Sequence, residues 1–222
     1  MQVGKHELPS RVNASDQQPS VTILIPNYKT LDITKLCLRL LRKHTDMQRV
    51  SVLVIDNDSQ DASTEYLRSL SWIRLIERDT SQDKTPPMSH ANALDRALAE
   101  VTTPYVLSFH TDTLVRNSGW LDFLMEEMNR RPSIAGVGSW KLEQKSFFRC
   151  MLKEAEMMVQ GLIFPLIGKG QGKIQGKGDN FFYLRSHCAM YKMDLIREYG
   201  LTFADEEAVA GKVLHRKLLE HG

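Results

Sequence analysis

The 222-residue sequence is poor in cysteine, in charge of one sign and in long apolar runs, and each shortage removes a class of function. Its three cysteines, Cys37, Cys150 and Cys188, lie far apart without C-x-x-C spacing. That argues against a disulfide framework or a zinc cluster and for a reducing compartment. The 29 basic and 27 acidic side chains nearly cancel, leaving a formal charge of +2. So small an excess gives no nucleic-acid footprint, and an anionic ligand must be met by local groups. The longest apolar stretch, GLIFPLIG (161–168), is much shorter than the roughly 20 residues that span a bilayer. Residues 1–20 have no apolar core of a secretory signal and read as a polar, flexible leader. There is no internal repeat. No glycine-rich phosphate loop follows Pro26, which speaks against a nucleotidyltransferase.

What is present is the composition of an ordinary soluble domain, 42% apolar and 25% charged, long enough for one substantial core. VTILIP (21–26) reads as a short buried strand ended by proline. Ile33, Leu36, Cys37, Leu40 and Leu41 follow at helical spacing, with Thr30 or Asp32 as cap. SVLVI (51–55) is a second strand, apolar on both faces as parallel strands are. A helix over about 61–70, a strand at Ile73–Glu77, a helix from Ser89 to about Val101 and a strand at Tyr105–Phe109 continue the alternation. A helix with Trp120, Leu121, Leu124, Met125 and Met128 inward leads to a strand-like IAGVGSW (134–140). Beyond a loosely patterned stretch lie a strand at His187–Tyr191, a short helix near 194–199 and a last helix over about 206–220. This order predicts an α/β fold: a doubly wound, mostly parallel sheet with helices on both faces. The ending EHG leaves room for a longer protein.

In such a sheet, ligands bind outside the carboxyl ends of the strands. Polar groups follow three of them: Pro26-Asn27-Tyr28, Asp56-Asn57-Asp58-Ser59 and His110-Thr111-Asp112. The first offers an aromatic ring and an amide to flank a nucleobase, or is simply a turn. The second suits a base and ribose through Asp56 and Asn57, or caps the next helix through Asp58 or Ser59. In the third, a carboxylate with a second ligand two residues away can chelate Mg²⁺ or Mn²⁺ against a diphosphate; in isolation the motif is weak, and a capped turn before Asn117–Trp120 is the better explanation of it.

VTILIPNY (21–28), VIDNDSQD (54–61), SHANALDRALAEVTTPYVLSFHTD (89–112) and GW (119–120), in this order, resemble a family 2 glycosyltransferase with the GT-A fold. The resemblance covers about residues 20–222. It implies metal-dependent inverting transfer of a sugar from a nucleoside diphosphate to a carbohydrate or lipid-linked acceptor, as in bacterial polysaccharide assembly, with a carboxylate as general base. It makes 21–140 the nucleotide-sugar half and 141–222 the acceptor side. A cytoplasmic location is implied, and an amphipathic region around 147–167 leaves peripheral membrane contact open. Asp56 and Asn57 match positions that touch the uracil or thymine end of the donor, with Pro26 and Tyr28 nearby, while His90 and Thr111 flank the donor. The D-N-x-S-x-D wording of 56–61 resembles rhamnosyl-type members and hints at UDP- or dTDP-linked donors.

His110 and Asp112 match the two acidic positions of the family's D-x-D motif, with histidine replacing the first acid. Imidazole ligates Mn²⁺ more readily than Mg²⁺, so a softer metal or a contact to ribose or phosphate is implied. The Glu-Asp pair that opens the last helix in relatives falls here near Ala210-Gly211. Asp205, Glu206 and Glu207 just upstream are the candidate bases, unless they only favour a helix N-terminus through its dipole. His215 is a further candidate metal ligand. Lys169, Lys173 and Lys177, in the glycine-rich stretch 168–179, suit a lid over phosphates or a charged acceptor, or a disordered surface loop. A degenerate domain that binds nucleotide without turnover is the alternative.

Overall fold

The computed structural model describes residues 18–139, 151–152, 156, 159, 182–205 and 209–221. Strands β1 (Val21–Asn27), β2 (Val50–Asn57), β3 (Arg74–Arg78), β4 (Tyr105–Phe109), β5 (Gly136–Gly138) and β6 (Cys188–Lys192) form one sheet in the order β3-β2-β1-β4-β6-β5. β1 pairs in parallel with β2 and β4, and β2 with β3, whereas β6 runs antiparallel to β4 and β5. The helices are α1 (Leu31–His44), α2 (Ala62–Arg68), α3 (Pro86–Leu98), α4 (Trp120–Asn129), α5 (Met193–Glu198) and α6 (Lys212–His221). Every strand predicted within the described residues is present. The antiparallel direction of β6 was not legible from its composition.

The parallel strands are apolar along their whole length because both faces are covered. Leu24, Leu53 and Ile55 face α3, α5 and α6 through Leu94, Ile196, Leu214 and Leu218. Ile23, Ile25, Val52 and Val54 face α1, α2 and α4 through Leu38, Leu41, Leu67, Leu121 and Met128. Each such side chain contributes about 1.5–3 kcal/mol of burial, and truncating one, as in Leu24→Ala, costs about 2–5 kcal/mol. On α3 the residues against the sheet are Ala91, Ala93 and Ala97, whose small side chains let the helix lie close to it.

Three local readings shift. The inward face of α1 carries Thr34, Cys37, Leu38 and Leu41, while Leu36 is exposed, because Thr34 is drawn inside by a hydrogen bond to Asn27. α2 is capped by Asp61, whose carboxylate accepts from the Ser63 amide at 2.8 Å, not by Asp58 or Ser59. α3 starts at Pro86 under a Thr85 cap, three residues before the predicted Ser89. Proline in the first helical turn needs no amide donor, so Pro86-Pro87 opens the helix well. No helix among the described residues is long and apolar enough to cross a membrane. The predicted leader, the stretch 147–167 apart from a few helical residues, and the lysines of 168–179 lie outside the described residues.

Candidate donor and metal site

The parallel register brings the tips of β1, β2, β3 and β4 to one rim. Asn27 stands opposite Asp56, and Asn57 opposite Arg78. At this rim the backbone takes left-handed φ values at three non-glycine residues, Lys29 (50°), Asp58 (59°) and Gln60 (50°). Such values are uncommon outside glycine and are held here by hydrogen bonds. The Lys29 amide donates to Ser59 Oγ at 3.0 Å and ties the two loops together.

Asn27 and Asp56 belong to this tie, and their side-chain polar atoms are engaged in it. Asn27 is 1% exposed; its amide nitrogen donates to Asp56 Oδ1 at 2.8 Å, and its oxygen accepts from Thr34 at 2.8 Å and Thr30 at 3.1 Å. Asp56 is 2% exposed and also accepts from Ser59 Oγ at 2.5 Å and Thr64 Oγ1 at 2.8 Å. The amide expected beside a nucleobase is therefore turned inward. A buried carboxylate is tolerated because its lone pairs are satisfied, and here it welds β1, β2 and α2.

Next to this network lies a cavity of about 330 Å³ bounded by Pro26, Tyr28, Asn57, Asp83, Ser89 and His90. Tyr28 stands at its mouth with 56% of its surface exposed. Asn57 is buried, and its oxygen accepts from Arg78 Nη1 at 2.9 Å. Arg78 is itself paired with Asp83 at 2.6 Å, and Asn92 donates to the other oxygen of Asp83 at 2.7 Å. Burial pushes the Asp83 carboxyl up, but the hydrogen bonds from Arg78, Asn92 and Ser89 outweigh it and hold its pKa below the ordinary value. Arg78 is not among the residues expected from the sequence, although it stands at the tip of β3 opposite Asn57, where the strand-end rule applies as it does to Asp56.

The N-terminus of α3 closes one wall of the cavity, yet it offers little to an anion. Pro86 and Pro87 have no N–H, and the Met88 amide is taken by the Thr85 hydroxyl at 3.4 Å. The free amides that usually make a helix start attractive to phosphate are thus missing.

His110, Thr111 and Asp112 form the turn beyond β4, closed by the Thr113 amide on the His110 carbonyl at 3.0 Å. His110 Nε2 lies 3.1 Å from His90 Nε2 and 3.1 Å from Ser186 Oγ, so this nitrogen faces inward. Burial, with the His110 ring beside it, pushes the His90 pKa down to about 4 and keeps it neutral. The other nitrogen, His110 Nδ1, lies 3.7 Å from Asp112 Oδ1, and the Asp112 side chain is 60% exposed. Thr111, half-buried, joins the two. Ser186 was not foreseen, because only the antiparallel direction of β6 brings the residues before it to this rim. Cys37 donates to the His110 carbonyl at 3.8 Å, and its thiol is pushed up to about 12 by burial and by Asp112. It stays a neutral thiol.

The remaining candidates lie on or before the last helix. His215 sits half-buried on α6, with its pKa lowered by burial. Among the described residues no three His, Cys, Asp or Glu side chains are grouped to hold a metal ion, so His215 does not join His110 and Asp112. α6 starts at Lys212, later than the predicted 206, and packs its Leu214 and Leu218 into the α3 side of the sheet. Asp205 is paired with Lys217 at 2.7 Å. Burial raises its pKa, but hydrogen bonds from Lys217 and Thr202 prevail and leave it lowered. Glu206 and Glu207 lie outside the described residues.

A mostly parallel α/β sheet with a polar rim, an antiparallel strand beyond β4 and a turn carrying an exposed carboxylate defines the GT-A class of transferase folds, and comparison with solved structures agrees. The chain resembles the mannosyltransferase PcManGT from Pyrobaculum calidifontis, solved with GDP-Man and Mn²⁺, at a TM-score of 0.62 and 18% identity, covering 92% of this chain and 53% of that one. It resembles S. aureus TarS 1–349 at a TM-score of 0.56 and 14% identity, covering 90% and 54%. TarS 1–349 in complex with UDP-GlcNAc gives 0.55 and 13%, over 90% and 53%. The chain thus spans about half the length of these structures. Comparison with curated proteins returned no match. The family model of glycosyl transferase family 2 matches residues 22–200, and the chain belongs to that family.

Proposed function

We propose that the chain forms the donor-binding part of a metal-dependent glycosyltransferase that moves a sugar, with inversion, from a UDP- or dTDP-linked donor to a carbohydrate or lipid-linked acceptor. The observation that carries this reading is the exposed Asp112 carboxylate at the tip of β4, on the same rim as the cavity bounded by Tyr28, Asn57 and His90. Pro26 and Tyr28 flank the nucleoside, and Asn57, oriented by Arg78, meets its polar edge. The start of α3 has no free amide for the diphosphate, so the charge falls to a cation held by Asp112. The donor set fits such an ion: an open carboxylate with an imidazole nitrogen 3.7 Å away, close enough for two donors on one cation. When bound, the cation neutralises the diphosphate as the nucleotide departs. The imidazole favours Mn²⁺ over Mg²⁺. The Mn²⁺ and GDP-Man of the mannosyltransferase and the UDP-GlcNAc of TarS support a nucleotide-sugar donor and a divalent ion here as well.

The acceptor hydroxyl needs a base on the opposite face of the sugar. Among Asp205, Glu206 and Glu207, the ion pair to Lys217 makes Asp205 the weaker base, and the role falls to Glu206 or Glu207. A second reading, nucleotide binding without turnover, is favoured by the inward engagement of His110 and by the lack of a three-ligand cluster among the described residues. Release of nucleoside diphosphate from UDP-, dTDP- and GDP-hexoses, with and without Mn²⁺, separates the two. Mn²⁺-dependent release supports the enzyme, and binding with no release supports the module.

A further inference from the structure

Three polar atoms from three parts of the chain form a nearly equilateral triangle behind the turn at the tip of β4. Nε2 of His90, from α3, lies 3.1 Å from Nε2 of His110 and 3.2 Å from Oγ of Ser186, from the segment before β6. The third side, His110 Nε2 to Ser186 Oγ, is 3.1 Å. Hydrogen bonds serve this triangle poorly. With both rings neutral, the nitrogen–nitrogen contact admits a single proton and the hydroxyl adds another, so two protons are left for three contacts.

The same triangle has the dimensions of one face of a metal site. Two imidazole nitrogens bound to one zinc ion at about 2.05 Å stand about 2.9–3.4 Å apart, from octahedral to tetrahedral angles. Ring orientation agrees. Rings aimed straight at each other across 3.1 Å would hold their centroids about 5.4 Å apart, and rings aimed at one shared ion about 4.8 Å. The His90 and His110 centroids are 4.7 Å apart, with the ring planes at 78°, which matches the shared aim. A metal-bound imidazole commonly offers its other N–H to a carboxylate, which fixes the ring. Asp112 Oδ1 stands 3.7 Å from Nδ1 of His110 for that purpose. An ion has a way in, because the His110 side chain is 34% exposed and His90 borders the cavity beside Tyr28.

We propose that His90 Nε2, His110 Nε2 and Ser186 Oγ bind Zn²⁺ or a similar borderline ion, and that the bound ion opposes donor binding by taking His110 from the donor's cation. Imidazole pairs select Zn²⁺ over Mg²⁺. The opposition follows from the ring itself: a neutral imidazole has a ligating lone pair on only one nitrogen, so Zn²⁺ on Nε2 leaves the proton on Nδ1. That half of the proposal rests on the reading that Nδ1 of His110 assists Asp112 in holding the donor's cation.

The test is isothermal titration of Zn²⁺ alone into wild type, His90→Gln, Ser186→Ala and Asp112→Ala, followed by titration of UDP- and dTDP-hexoses with Mn²⁺, with and without Zn²⁺. Zn²⁺ affinity is expected to fall roughly tenfold to a hundredfold in Asp112→Ala, which loses the carboxylate behind a ligand, and further in His90→Gln, which loses a ligand. Ser186→Ala weakens it severalfold and carries the test if His90→Gln does not fold. Zn²⁺ raises the donor Kd in wild type, and the rise is lost in His90→Gln relative to that variant's own zinc-free value. Imidazole nitrogen NMR of wild type with Zn²⁺ shows the His110 proton on Nδ1. No Zn²⁺ binding, or equal Zn²⁺ affinity in wild type, His90→Gln and Ser186→Ala, overturns the site. Zn²⁺ bound through His90 with an unchanged donor Kd overturns the opposition. Absence of Mn²⁺-dependent donor binding in zinc-free wild type sinks the reading of the donor's cation instead, and the Zn²⁺ titrations still decide the site.

Discussion

Asp112 Oδ1 lies 3.7 Å from Nδ1 of His110, while the opposite nitrogen of the same ring is turned into the protein toward His90 and Ser186. The imidazole thus bridges an exposed carboxylate and a half-buried cluster.

Replacing that bridge is informative. His110→Asp supplies a second hard oxygen ligand and removes the soft one, so donor binding is expected to depend on Mg²⁺ as well as Mn²⁺. Titration of donor with each metal checks it. An unaltered metal preference means that His110 does not touch the cation.

Asp56 separates a structural from a ligand-binding role. Asp56→Ala leaves the Asn27 amide and the Ser59 and Thr64 hydroxyls without their buried acceptor, and a loss of about 3 kcal/mol in unfolding free energy is expected. Urea denaturation measures it. A loss below about 1 kcal/mol, together with weakened donor binding, would instead mark Asp56 as a direct contact to the base.

Much of this was legible beforehand. The β-branched runs at 21–26 and 51–55 read as buried strands, and a parallel sheet carries their carboxyl ends, with Asn27, Asp56 and Asp112, toward one rim. What the chain order could not give is which way each tip residue turns. Asn27 and Asp56 look like ligand groups in sequence, yet each finds more hydrogen-bond partners inside than a ligand would supply. Arg78, Asp83 and Asn92 meet only because β3 and the start of α3 converge, so no spacing between them announces the network. The early start of α3 was masked because Pro86, Pro87 and Met88 precede its apolar stripe.

The Arg78–Asp83 pair gives a pH signature. Its side chains are 14% and 6% exposed, so breaking it by Asp83→Asn is expected to cost about 3 kcal/mol near neutrality. The folded pKa of Asp83 lies below the unfolded value of 3.8, so its contribution is complete above that value and disappears as pH falls through the folded pKa. The difference between wild type and Asp83→Asn in urea midpoints should be constant between about pH 7 and 5 and shrink below 3.8. A difference that persists undiminished at the acid end would show that the charge plays no part.

The most direct measurement is isothermal titration of UDP-, dTDP- and GDP-hexoses, with and without Mn²⁺, into wild type and Asp112→Ala. Because the side chain is 60% exposed and packs no core, the variant is expected to fold normally and to lose all Mn²⁺-dependent affinity. Equal Mn²⁺-dependent affinity in the two proteins would contradict a metal-bound diphosphate at the tip of β4.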